Sequence, residues 1–327
     1  MKILTLLEAI NDAYKVEMKA NPLIVTYGED VGVEGGVFRA TAGIQKEFGE
    51  LRCFDSILAE SGIAGTALGM AIGGLRPVIE MQFDGFVWPA FNQLVSHIAR
   101  YRNRTRGAMT LPIVIRFPYG GGIRALEHHS ESYEAVFGHM PGLKVVIPST
   151  PYDAKGLFIS ALRETDPVIF MEPKRIYRSI KQEIPEEAYT IPIGKAKIVN
   201  QGKHLTMVSY GAQMKEASAA AAELKQMGIE VELIDLRTIY PYDKETIIQS
   251  VKKTGKFIVV HEGAQSFGVG AELMSVVANE AFVYLEAPPT RLTGADTIFP
   301  LPRGENHYMI TTKDIVKKTK QLAEYKI

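Results

Sequence analysis

Cysteine is all but missing from this sequence: Cys53 is the single one among 327 residues. An internal disulfide is therefore excluded, and a reducing compartment fits best, the cytoplasm or an organelle matrix. Cys53 reads as a small buried residue at a strand end, in Arg52-Cys53-Phe54 ahead of Asp55. Net charge is missing too, because 37 Lys and Arg balance 37 Asp and Glu. A nucleic-acid footprint is not indicated, and little self-repulsion opposes assembly. No stretch approaches the roughly 20 apolar residues of a membrane span. Glu8, Asp12, Lys15 and Glu17 interrupt the N-terminal segment where a secretory signal would need an apolar run.

The remaining composition, 46% hydrophobic and 23% charged, is that of a soluble enzyme long enough for two domains. Thr5 and Glu8 have capping-box spacing, and Leu7, Ile10, Tyr14 and Met18 follow the helical period, so a first helix runs to Asn21-Pro22. Short, almost continuously apolar strands are predicted at 23–27, 78–81, 113–117, 145–148 and 168–171. Helical patterns lie between them at 61–74, 89–104, 130–138 and 151–165. Such alternation implies a parallel sheet covered by helices. The stretch 172–200 is rich in proline and charge, with weak periodicity. Beyond it come strands at 205–210, 230–235 and 257–261, and helices at 211–227, 243–253, 270–281 and from Thr312. The fold class is α/β, with two parallel-sheet domains at 1–185 and 201–327 joined by a linker at 186–200.

Several features could carry chemistry, each with a plainer alternative. Gly65, Gly69 and Gly73 form one stripe on a helix at a cost of up to about 1 kcal/mol each. Close packing on the sheet or on another subunit would explain them. Glu60 precedes that helix, where the dipole alone favours a carboxylate; it also sits where α/β sheets bind ligands. The aromatic loop from Glu80 to Pro89 could stack a flat heterocycle or could be a packed corner. Gly120-Gly121-Gly122 could cradle phosphate or form a flexible lid. His128 and His129 lack the spacing of a zinc pair; one of them could be an acid/base group or a surface residue. His261-Glu262-Gly263 reads as structural or as an interface.

The order of these features resembles one family. Gly28-Glu29-Asp30-Val31, Gly35-Gly36-Val37-Phe38-Arg39, Glu60-Ser61-Gly62-Ile63-Ala64-Gly65 and Glu80-Met81-Gln82-Phe83 are similar to the beta subunits of 2-oxo acid dehydrogenases. So are residues 141–148, 151–157, 235–238 and 253–256, so the resemblance spans nearly the whole chain. It implies a transketolase-like pyrimidine-binding domain followed by a transketolase C-terminal domain, and thiamine diphosphate as cofactor. The family's cofactor-activating glutamate falls on Glu60, which would hydrogen-bond the aminopyrimidine ring nitrogen. The activated thiazolium carbon then attacks the 2-oxo carbon, and carbon dioxide leaves. Phe86 falls where the family packs an aromatic on the pyrimidine, with Leu58 and Gln82 beside it. His129 matches the family histidine that aids acyl transfer to a lipoyl arm; His128 is not matched. Potassium ligation by backbone carbonyls would fall on Ile113, Ala161, Glu164 and Asp166.

The Gly-Asp-Gly segment by which thiamine-diphosphate enzymes hold magnesium is absent. The resemblance thus implies an alpha subunit that holds magnesium, an α2β2 heterotetramer, and a lipoyl acyltransferase as further partner. Gly36-Val37-Phe38-Arg39 and Glu80-Met81-Gln82-Phe83 lean towards branched-chain substrates of the 2-oxoisovalerate type. A pyruvate or acetoin dehydrogenase subunit is the alternative, and a non-catalytic scaffold is the alternative from another class.

Overall fold

Apolar runs of four to six residues, too short for helices, leave parallel strands buried on both faces as the stable solution. The computed structural model describes residues 1–326 and has two compact units. One comprises Met1–Tyr119 with Val136–Ile193. The other comprises Gly120–Ala135 with the chain from Gly194 on.

In the first unit six parallel strands lie in the spatial order Lys144–Val146, Val168–Pro173, Val114–Tyr119, Arg76–Glu80, Ile24–Gly28 and Cys53–Asp55. Cys53 is fully buried, and burial pushes its thiol up to about 12, so it is an inert core residue. The helix Leu6–Ala20 starts with the predicted capping box between Thr5 and Glu8 and packs on the helix Pro151–Arg163. Thr150 caps the latter by accepting from the Asp153 amide, with Pro151 in its first turn.

The pattern at 89–104 is not one α-helix. A 3-10 turn at Trp88–Ala90 leads into a π-helical stretch at Gln93–Ile98 and a short α-helix at Tyr101–Arg104. Apolar periodicity does not distinguish these forms, because all present one face to the core. Three short strands also escape a search for apolar runs, being largely exposed. Lys2–Thr5 pairs antiparallel with Lys181–Ile184. Lys197–Asn200, within the stretch read as linker, pairs antiparallel with Val231–Asp235.

The second unit carries a five-stranded sheet in the order Thr290–Gly294, Phe257–Ala264, Leu205–Ser209, Val231–Asp235 and Lys197–Asn200. All its pairs are parallel except that of the last edge. Helices Gln213–Gln226, Lys244–Thr254, Val269–Glu280 and Thr312–Ala323 accompany it. Among the described residues no helix is long and apolar enough to cross a membrane.

Candidate active site

Register builds the site edge of the first unit. Gly28 lies opposite Asp55 on one side and Glu80 on the other, so three strands finish level. Their C-terminal continuations are thereby gathered at one edge: Glu29-Asp30, the 56–59 turn, and Met81-Gln82. Asp55 accepts hydrogen bonds from the Gly32 amide at 2.6 Å and the Val33 amide at 3.3 Å, which folds the 30–36 loop back on the edge.

Glu60 opens the helix Glu60–Ile72 in its first turn. No side chain caps this helix, since Ala59 occupies the cap position. The helix is tied to the sheet by the buried Tyr27 hydroxyl, which donates to the Ile63 carbonyl at 2.8 Å. Glu60 is half-buried. Burial, and then the negative charges of Asp30 and Glu60, hold the Glu29 carboxyl above its ordinary range, so three carboxylates share this edge.

The other predicted cofactor residues lie in the same unit. Gln82 donates its amide to Asp30 Oδ2 at 3.3 Å. Asp30 itself adopts φ +58°, a left-handed conformation uncommon for a non-glycine residue. The sequence alone assigns it no role, although it stands in the matched Gly28-Glu29-Asp30-Val31 stretch. Phe86 is half-buried, and its ring meets Phe83 edge-on with centroids 5.6 Å apart; Phe83 meets Phe38 in the same manner. The aromatic loop is thus a packed corner that still presents Phe86. Leu58, by contrast, is 72% exposed beside Glu60.

Beneath this edge lies a buried ionic network. Arg116 donates to both oxygens of Glu172, at 2.5 and 2.7 Å, and also to Glu80. The Tyr177 hydroxyl adds a bond to Glu172 at 2.5 Å. Burial works against the Arg116 charge, yet Glu172 outweighs it and raises the guanidinium further above its usual value.

The glycine stripe does not pack on the sheet. The buried face of the helix is Ile63, Ala64, Ala67 and Ala71. A side chain added at Gly65 would meet only Gln93, and one added at Gly69 would meet nothing within 4 Å. The expectation of tight packing inside the domain is corrected accordingly.

The four carbonyl positions read for potassium cluster near the end of the Pro151–Arg163 helix. The Ile113 carbonyl accepts from the Val168 amide at 2.9 Å and the Ala161 carbonyl from the Glu164 amide at 3.2 Å. The Arg76 guanidinium donates to the Glu164 carbonyl, and Arg102 pairs with Asp166 at 2.7 Å.

His129 belongs to the second unit, on the segment Gly120–Ala135. It ends a 3-10 turn, Glu127–His129, and is half-buried, whereas His128 is 54% exposed near Glu131. The glycines before it are not a phosphate cradle. The Gly121 amide donates to Glu262 at 2.9 Å, and a side chain at Gly120 or Gly121 would collide with Glu262 or Phe299.

Two α/β units built on mainly parallel sheets are the architecture of a transketolase-type protein, and the family models agree. The family description "Transketolase, pyrimidine binding domain" matches residues 3–179, and "Transketolase, C-terminal domain" matches residues 194–315. A solved chain titled as a split-gene transketolase, an inactive beta4 tetramer, superposes with a TM-score of 0.78 at 21% identity, covering 99% of this chain and 100% of that one. The sequence is 56% identical to the pyruvate dehydrogenase E1 component subunit beta of Acholeplasma laidlawii, with 99% of each chain covered. It is 51% identical to the protein of the same name from Mycoplasma pneumoniae, with 97% of each covered. The chain belongs to the 2-oxo acid dehydrogenase beta subunits of the transketolase-like, thiamine-diphosphate-dependent family.

Proposed function

We propose that this chain is the beta subunit of a pyruvate-decarboxylating component, active together with an alpha subunit and passing its acyl group to a lipoyl acyltransferase. One observation carries the reading. Glu60 opens an uncapped helix at the edge where the strands finish, with Leu58 and Phe86 on the same unit.

That donor set fits a thiamine ring: a carboxyl group for the ring-edge nitrogen, and apolar side chains for the ring faces. When bound, thiamine diphosphate supplies the electron sink that lets carbon dioxide leave. Glu60 holds the proton shared with the aminopyrimidine nitrogen. Leu58 and Phe86 would cover part of the ring, and the Asp30 carboxylate fixes the Gln82 amide. Leu58 is too exposed to form a closed wall, and the open glycine stripe leaves one helix face uncovered. Both support completion of the site by an alpha subunit in an α2β2 heterotetramer. Magnesium ligation falls to that subunit, since magnesium needs a set of hard oxygen ligands with the diphosphate. Potassium at the carbonyls of Ile113, Ala161, Glu164 and Asp166 would sit against the Arg76 guanidinium, a repulsive neighbour; comparing thermal unfolding in KCl and NaCl tests that site.

The names of the relatives support pyruvate over the branched-chain preference read from the sequence. The two segments behind that preference serve the fold. A side chain at Gly36 would approach the Glu80 carboxylate to 3.1 Å, and Glu80 pairs with the buried Arg116. Both segments thus have a structural use apart from substrate choice. The test is reconstitution with the alpha subunit, magnesium and thiamine diphosphate, comparing pyruvate with 2-oxoisovalerate. Pyruvate should lead in kcat/KM by at least about tenfold, the scale of one or two methyl groups. A lead for 2-oxoisovalerate would overturn the substrate assignment and leave the family unchanged.

A further inference from the structure

Within His261-Glu262-Gly263, Glu262 and Gly263 meet the segment that bears His129, while the His261 ring accepts from the Gly270 amide at 3.1 Å. The Glu262 Oε1 atom accepts from the Gly121 amide at 2.9 Å and from the Ser132 hydroxyl at 3.2 Å. One buried carboxylate oxygen thus ties together two points on either side of His129. The Gly120 amide closes the same neck on the Glu131 carbonyl at 2.7 Å. Midway round, the Arg124 amide donates to Glu305 at 3.0 Å. Past the neck, Glu134 accepts from the Tyr210 hydroxyl at 2.7 Å, and Tyr210 stacks on His261 at 5.8 Å. Gly263 completes the fit, since a side chain there would come within 2.7 Å of Glu134. Segments of this size with tied ends behave as compact loops whose anchors set their shape.

We infer that Glu262 is a positioning residue: its carboxylate sets the loop Gly121–Ser132 and so places His129 for acyl transfer to the lipoyl group. The inference rests on the role proposed above for His129. Because the two bonds converge on one buried oxygen, a single side chain fixes both ends of the neck. A reacting group displaced by about 1 Å can cost on the order of a hundredfold in rate, so a loosened neck should be visible in turnover.

The test uses the reconstituted holoenzyme with free lipoyl domain as acceptor, alongside an artificial electron acceptor. The readout is the ratio of lipoyl acylation to artificial-acceptor turnover. In Glu262→Ala this ratio should fall by about tenfold or more, in kcat and not in KM for the lipoyl domain. Glu262→Gln retains an acceptor oxygen and should recover most of the loss. Ser132→Ala removes one donor at a half-buried position, where misfolding is a small risk, and should give a partial fall. Adding it to Glu262→Ala should give no further loss. An unchanged ratio in both Glu262→Ala and Ser132→Ala, with His129→Ala strongly impaired, would overturn the positioning role alone. An unchanged ratio in His129→Ala would instead remove the reading on which it rests.

Discussion

Each unit buries a polar network, and the two meet the cost of buried charge in opposite ways. In the first unit Arg116, Glu80, Glu172 and Tyr177 are all nearly inaccessible, and the charges are kept and paired. In the second unit Glu134 and His261 are equally inaccessible, and the charges are suppressed. Burial, against the Tyr210 hydrogen bond, pushes Glu134 up to about 7, and burial depresses His261 to about 4. An isolated buried ion is too costly, so a protein must either pair it or neutralise it. Pairing makes a support that pH hardly touches, and here it lies below the edge that carries Glu80 and Gln82. Neutralisation makes a support that titrates near physiological pH, and here it lies beside the loop that carries His129.

The largest effect should come from breaking the paired network. Arg116→Met leaves Glu80 and Glu172 buried without their cation and should cost about 3–5 kcal/mol, read by urea unfolding. A loss below about 1 kcal/mol, the usual value of an exposed pair, would mean the network is not buried in solution.

The suppressed network should reveal itself in slope. Glu134 has a folded-state pKa of about 7 against an ordinary 4.5. Below 4.5 both folded and unfolded chains hold the proton and nothing is lost. Between 4.5 and 7 the unfolded chain releases a proton that the folded chain keeps, so stability falls as pH rises and then levels off. His261 acts with the opposite sign, losing stability as pH falls from 6.5 towards 4. Glu134→Gln keeps an acceptor for Tyr210 and removes the first slope. It should gain a few kcal/mol over the parent at about pH 8 and nothing at about pH 4.5, by chemical denaturation at both values. Equal effects at the two pH values would show that Glu134 keeps its ordinary pKa in the folded chain.

The smallest effect concerns fit. Gly263→Ala crowds the Glu134 carboxyl and should cost about 1–3 kcal/mol. A neutral result in thermal unfolding would show that the carboxyl group moves aside freely.

How far these sites are legible in the sequence depends on sequence distance. The buried strands and the Thr5–Glu8 cap are readable because their signals are local. Glu60 is readable as a carboxylate opening a glycine-striped helix, and the resemblance gives it a role. The bond from Gln82 to Asp30 spans 52 residues and exists only because of strand register. Arg116 looks like one polar letter in an apolar strand, and its partners stand 36 and 56 residues away. Glu262 reaches Gly121 across 141 residues. The triple glycine shows that something approaches the backbone closely but not what, and the structure supplies Glu262 and Phe299. The branched-chain preference rests on two short segments whose residues also serve folding, and the names of the relatives favour pyruvate instead.

The central claim is that Glu60 activates the cofactor in a site shared with an alpha subunit. The direct test is pyruvate decarboxylation by the reconstituted pair with an artificial acceptor, using the parent chain and Glu60→Gln. The account predicts activity in the parent pair and a loss of at least about a hundredfold in Glu60→Gln, with the assembly intact. Equal activity in the two would contradict the role of Glu60, and inactivity of a well-formed parent assembly with every 2-oxo acid would favour a scaffold.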